Sequence, residues 1–104
     1  MKVVKTSVYD SWLRNLKRTD PRAAARVQVR IDRLVSGNPG DTAPIGSGLS
    51  ELRIHHGPGF RVYYRQRGDV LLIILCGGDK STQAKDIRTA HQIAHEWQEE
   101  HGED

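Results

Sequence analysis

The sequence predicts an α+β fold in which a helical hairpin packs on an antiparallel sheet and a final helix closes the chain, in the order β-α-α-β-β-β-α. Three observations predict it. Two consecutive segments near the N-terminus carry apolar residues at helical spacing, with a proline-containing break between them. Three later segments alternate or run apolar between glycine-rich turns. The last periodic segment is helical again. A chain of 104 residues is one domain with a single core, expected over residues 1–97, with 98–104 as an acidic C-terminal tail.

Residues 2–6 form a short β-branched run and read as an edge strand. Ser7 is the expected N-cap of a helix whose apolar positions are Tyr9, Trp12, Leu13 and Leu16. Asp20 then caps a second helix, with Pro21 at its first position, where a missing N–H costs nothing. Ala24, Val27, Ile31, Leu34 and Val35 make the buried stripe of that helix, and Gly37 is the expected residue just past its end. Residues 38–48, with two prolines and three glycines, read as a loop. Strands follow at 49–55 and 60–67, joined by Gly57-Pro58-Gly59. Gly68-Asp69 has the two-residue hairpin signature and leads into the apolar run 70–76, a strand expected to be central and covered on both faces. Gly77-Gly78 ends it, and a helix from about Ser81 buries Ile87, Ala90, Ala94 and Trp97.

Composition excludes several classes. The longest apolar run is far short of the roughly 20 residues that span a bilayer. The first residues, Met1-Lys2-Val3-Val4-Lys5, show neither an apolar signal region nor a cleavage site. One cysteine, Cys76, permits no internal disulfide and suits a reducing cytoplasm. The formal charge of +3 is unevenly distributed, because residues 91–104 contain five acids and no Lys or Arg. Residues 1–90 therefore hold sixteen basic against eight acidic side chains, a net +8. Such a body attracts polyanions, or an acidic protein that competes with them.

Strand alternation assigns side chains to faces. Leu52, Ile54, Phe60, Val62 and Tyr64 face the helices, which leaves Arg53, His55, Arg61, Tyr63 and Arg65 together on the other side. Guanidinium groups hold phosphates bidentately and aromatic rings stack on unpaired bases, so this face suits single-stranded RNA. A solvated sheet face whose arginines pair with Glu51 or Asp69 accounts for the same pattern. The loop Gly77-Gly78-Asp79-Lys80-Ser81 offers backbone N–H groups, with Lys80 and Lys85 nearby, to a phosphate, although it is no P-loop. His91 and His95 have i, i+4 spacing, but the pattern is not HExxH and no second cysteine is present, so no metal site is expected.

Gly59-Phe60-Arg61-Val62-Tyr63-Tyr64, preceded by Leu49-Ser50-Glu51-Leu52-Arg53, resembles the central hairpin of the RelE/ParE toxin superfamily. The continuation from Leu71 through Gly77-Gly78-Asp79-Lys80-Ser81-Thr82-Gln83 to Asp86-Ile87 is similar to its branch of addiction-module killer proteins, close to HigB-like toxins. The resemblance covers nearly the whole chain and implies a helical hairpin on a curved antiparallel sheet with a terminal helix. It also implies a cytoplasmic toxin neutralised by a cognate antitoxin, typically a helix-turn-helix DNA-binding protein. RelE-like members cleave mRNA on the ribosome with no metal or cofactor. The 2′-OH attacks the adjacent phosphate, leaving a cyclic phosphate and a free 5′-OH, which requires a base, an acid and cations on the developing charge.

On that resemblance Arg61 is the transition-state stabiliser, Arg53 holds a neighbouring phosphate, His55 is the base or acid, and Lys80 adds charge from the rim. Tyr63, Arg65 and Lys85 complete the expected RNA surface. The sequence departs from the pattern in having no tyrosine after Tyr64 and in placing its late histidines on an acidic helix. ParE-like relatives poison DNA gyrase by binding, and a relative that binds only its antitoxin is a further alternative. The antitoxin is expected on the strip Arg22, Arg26, Arg30 and Arg33, away from the proposed active face.

Overall fold

The computed structural model describes residues 1–102. Its elements are β1 (Lys2–Lys5), α1 (Ser7–Thr19), α2 (Pro21–Val35), β2 (Thr42–Gly46), β3 (Leu49–Ile54), β4 (Phe60–Arg67) and β5 (Leu71–Asp79), then a 3-10 turn (Lys80–Thr82) and α3 (Gln83–His101). The expected α+β class holds, with one strand more. The strands form one sheet in the order β1-β5-β4-β3-β2. All neighbours are antiparallel except β1, which runs parallel to β5. Parallel pairing needs a long crossover, and the whole excursion through α1, α2 and the hairpins supplies it. The additional strand, β2, lies inside the segment expected to be a loop. Its Pro44 has no N–H to donate, which is tolerable because β2 is an edge.

The helix signals act locally as expected, with one shift. Because β1 ends at Lys5, the N-cap of α1 is Thr6 rather than Ser7. Thr6 Oγ1 accepts the Tyr9 N–H at 3.1 Å and donates to the carbonyl of Leu75, tying the helix start to β5. Asp20 accepts the Ala23 N–H at 3.1 Å, with Pro21 opening α2. Gly37 takes φ +90° past the end of α2, where the Gly37 and Asn38 N–H groups close on the carbonyls of Leu34 and Arg33.

Two cores result, one on each face of the sheet. Tyr9, Leu13, Leu16, Ala24, Val27, Ile31 and Leu34 pack on Leu52, Ile54, Phe60, Val62, Tyr64, Leu72 and Ile74. Val35, expected in that stripe, is exposed at the end of α2. On the other face Ala90, with Ile87, Ala94 and Trp97, covers Leu49, Tyr63, Leu71, Ile73, Leu75 and Cys76. β5 is thus covered on both sides, as its unbroken apolar run predicts. A register shift opposite Tyr63 and Tyr64 makes Leu75 an extra residue in β5, so the consecutive Leu75 and Cys76 join the same core.

Gly77-Gly78 does not end the strand, which runs through both to Asp79. These glycines serve close packing instead. A Cβ on Gly77 would lie 2.4 Å from the Trp12 indole, and one on Gly78 1.8 Å from the Asp86 carboxylate. Val70 belongs to the turn with Gly68 and Asp69, not to the strand, and is 70% exposed. α3 continues to His101, so residues 98–101 of the expected tail are helical, while Glu103 and Asp104 lie outside the described residues. Among the described residues no helix is long and apolar enough to cross a membrane.

Candidate active site

In the β3–β4 register Arg53 sits directly opposite Arg61, and Glu51 opposite Tyr63. Two arginines facing each other across antiparallel strands repel unless an anion lies between them. Glu51, two residues earlier on the same face, is that anion. Its Oε2 is 3.4 Å from Arg61 Nε and 3.6 Å from Arg53 Nε, and its side chain is only 2% exposed. Gln83, the first residue of α3, donates Nε2–H to both carboxylate oxygens at 2.9 and 3.2 Å.

A second carboxylate organises the outer edge. His55 Nε2 makes a 2.5 Å hydrogen bond to Asp41 Oδ2, and Arg53 Nη1 lies 3.6 Å from Asp41 Oδ1. The hydrogen bond to His55 and the charges of Arg53 and Arg30 hold the Asp41 carboxyl below the usual carboxylate range. With Nε2–H directed at the carboxylate, Nδ1 becomes the basic nitrogen of a ring that is 76% exposed. Asp41 itself is placed by Arg30. That guanidinium donates to the carbonyl of Arg53 at 2.5 Å, of Pro39 at 2.8 Å and of Asp41 at 3.3 Å, fastening α2, the loop and β3 together.

Between these groups lies an open cleft of about 430 Å³, lined by Arg53, His55, His56, Arg61, Lys80 and the turn Gly57-Pro58-Gly59. The structure therefore brings together Arg53, His55, Arg61 and Lys80 of the expected site. It separates the other three. Tyr63 is fully buried under α3, because alternation sends it to the face that this helix covers, so it offers no ring for base stacking. Burial also raises its phenol pKa. Arg65, four residues beyond Arg61 and so about 13 Å along the strand, spends Nη1 on Gln98 Oε1 at 2.7 Å. Lys85 is exposed on α3 and does not line the cleft.

The phosphate-loop expectation at residues 77–81 also changes. The Ser81 N–H and hydroxyl both donate to Asp79 Oδ1, at 2.8 and 2.5 Å, so that end of the loop is already capped. His91 and His95 do not converge. His91 Nε2–H donates to the Ile45 carbonyl at 2.9 Å, whereas His95 pairs with Glu99 at 2.7 Å. Cys76 is buried, which pushes its thiol pKa up to about 12 and makes it a poor nucleophile.

Of the α2 arginines, Arg22, Arg26 and Arg33 are exposed, but Arg30 is the clamp just described. A second open groove of about 420 Å³ runs along this helix, lined by Ala25, Arg26, Val29, Arg30, Arg33, Ile54 and His55. His55 is thus a wall shared by both depressions. The α2 surface adjoins the candidate active site and is not remote from it.

Sequence reasoning missed Asp41 and Gln83, and it gave Glu51 only the role of a surface ion-pair partner. Asp41 carries no local signal in a Pro-Gly loop. Gln83 is an ordinary helix-start residue until α3 is docked. The alternation that sets Glu51 on the same strand face as Arg53 was the one legible hint.

Comparison with known proteins gives two similarities. The sequence model of the family described as Phage derived protein Gp49-like (DUF891) matches residues 12–96. An uncharacterized protein of Haemophilus influenzae is 48% identical over 96 residues, which is 92% of this chain and 95% of that protein. No solved structure matches the chain.

Proposed function

The chain belongs to the phage derived Gp49-like family, and from that premise we propose that it is the toxin of a type II toxin–antitoxin pair, acting in the cytoplasm as a ribosome-dependent mRNA endoribonuclease. One observation carries this reading: a single open cleft joins three cationic side chains, Arg53, Arg61 and Lys80, to a histidine oriented by a carboxylate. Cleavage by the 2′-OH needs that set. His55 Nδ1 removes the 2′-OH proton as the oxygen attacks phosphorus, while the guanidiniums hold the charge that grows on the phosphoryl oxygens. The P–O5′ bond then breaks and the departing O5′ takes a proton from water in the open cleft, leaving a 2′,3′-cyclic phosphate and a 5′-OH. Resemblance to RelE/ParE and HigB-like toxins agrees with this chemistry and supports the ribosome as the place where it occurs.

Inducing the protein in growing bacteria is expected to arrest growth and to produce new 5′-OH ends in translated mRNA within minutes. The purified reaction on programmed ribosomes is expected to proceed in the presence of a chelator. Intact mRNA together with accumulating gyrase–DNA cleavage complexes would overturn the nuclease reading in favour of a gyrase poison.

The cognate antitoxin, a helix-turn-helix DNA-binding protein on this reading, docks on α2. Exposed Val29 gives the groove an apolar floor, and Arg26 and Arg33 give it basic edges that suit an acidic amphipathic segment. An occupant of this groove touches His55 and thereby closes one wall of the cleft. Like charges placed across an interface cost several kcal/mol. Reversing both Arg26 and Arg33 to Glu is therefore expected to raise the antitoxin Kd by roughly 10²-fold at low salt while leaving the melting temperature unchanged. Arg30→Ala behaves differently, because it releases three backbone carbonyls; it is expected to cost about 2 kcal/mol of stability. Titration calorimetry and thermal melts separate the two effects. A double reversal that binds as tightly as wild type would remove α2 from the interface.

A further inference from the structure

We propose that Glu51 is the positioning residue of the cleft: without touching RNA, it sets Arg61 and Arg53 in the orientation that receives the scissile phosphodiester. The proposal rests on the nuclease reading above and concerns how that site is kept ready.

Among the described residues Glu51 is the one charged side chain in the buried interior. A buried carboxylate carries a large desolvation penalty unless it is paired and hydrogen-bonded. Here Gln83 Nε2 bonds both oxygens, fixing the carboxylate from the α3 side. The free direction of Oε2 is filled by Arg61 Nε at 3.4 Å. Arg53 Nε, buried and without a hydrogen-bond partner, lies 3.6 Å from the same oxygen. A small rotation of Arg53 closes that gap, and catalytic hydrogen bonds commonly shorten in this way when substrate binds.

The point of attachment decides the role. Glu51 faces both arginines at Nε, the edge nearest the stem, which leaves the terminal nitrogens of Arg61 for the cleft that both residues line, while Arg53 Nη1 is also paired with Asp41. Among the described residues no hydrogen bond occupies the terminal nitrogens of Arg61. An arginine on a free stem gives up rotamer freedom each time it grips a phosphate. Held by Glu51, it has given up that freedom on folding, and the donors are in place as charge develops. Affinity for a polyanion does not explain the residue, since Glu51 cancels one positive charge beside Arg53, Arg61 and Lys80 and so weakens ground-state attraction.

Loss of Glu51 is therefore expected to slow turnover and leave RNA binding intact or tighter. The test uses the full-length protein with ribosomes programmed with a short mRNA, comparing wild type, Glu51→Gln and Gln83→Ala. Affinity of each protein for a fluorescein-labelled single-stranded RNA is read by anisotropy. Glu51→Gln is expected to lower kcat by roughly 10- to 100-fold, with KM within about threefold of wild type. Its RNA affinity is expected to equal or exceed that of wild type. Gln83→Ala, at the half-exposed start of α3, leaves the carboxylate in place but unfastened, and is expected to lower kcat about threefold with KM unchanged. It keeps the question answerable if Glu51→Gln does not fold. Either folded variant turning over at the wild-type rate would overturn the positioning role, as would a parallel loss of RNA affinity and kcat, which marks a merely structural part. A wild-type protein that cuts no RNA would instead overturn the nuclease reading itself.

Discussion

Arg61→Ala is expected to lower the RNA-cleavage rate by roughly 10²- to 10³-fold, the cost of removing one preorganised donor from a transition-state site, and to abolish growth arrest. The size of the effect follows from how Arg61 is held. Its side chain is 14% exposed, engages Glu51 through Nε, and lies beside Gly59, where a substituent would meet Arg61 Nη1 at 4.0 Å. Arg53 shares its guanidinium between Glu51 and Asp41, so its removal is expected to matter less. Truncating Arg61 also has a structural cost. Glu51 loses one partner but keeps both Gln83 bonds, so the expected loss of stability is about 1.5–3 kcal/mol, typical of a hydrogen bond to a charged group. Primer extension on ribosome-bound mRNA measures the rate, and a thermal melt establishes that the variant is folded. Arg61→Lys retains the charge without the fork, and is expected to recover only part of the activity. Full toxicity from a folded Arg61→Ala protein would remove this residue from the mechanism.

Gly77→Ala is expected to be the most damaging single methyl group in the chain, costing about 3 kcal/mol, at the upper end for overpacking. A loss of that size lowers Tm by roughly 10–20 °C in a domain of this length. The new Cβ would stand 2.4–2.7 Å from three atoms of the Trp12 indole. Trp12 cannot simply swing aside, because its ring lies against Tyr9 and Phe60, with centroids 6.0 and 6.5 Å away. Nor can Gly77 retreat, since β5 is paired there with Val62 of β4. At Gly78 the obstructing atom is the end of the flexible Asp86 side chain, so Gly78→Ala is expected to cost less. Combining Gly77→Ala with Trp12→Leu is expected to recover part of the loss, a non-additivity that marks direct contact. An unchanged melting temperature for the single variant would show that the sheet yields more readily than this packing allows.

Much of the architecture was legible because its signals are local. Asp20-Pro21 divides the two helices, and Gly37 ends the second, through groups within one turn of the chain. The alternation of Leu52, Ile54, Phe60, Val62 and Tyr64 faces the helices because the side-chain period of a strand is fixed. The apolar run of β5 announced its double cover. Strand β2 was concealed because Pro44 and its neighbouring glycines have the composition of a loop, and an edge position makes that composition tolerable.

The candidate site divides along the same line. By itself the sequence determined that Arg53 and Arg61 share one face of a hairpin, since alternation sets each opposite the apolar positions that pack on the helices. Only the tertiary structure decided what that face becomes. Docking of α3 buried Tyr63, drew Arg65 to Gln98, and brought Gln83 onto Glu51. Folding of the 38–41 loop under the Arg30 clamp carried Asp41 to His55, fourteen residues away in the chain. Periodicity states which way a side chain points relative to its own backbone. It carries no information on which helix will cover that direction, because the choice is made by apolar surface and hydrogen bonds gathered from distant parts of the chain.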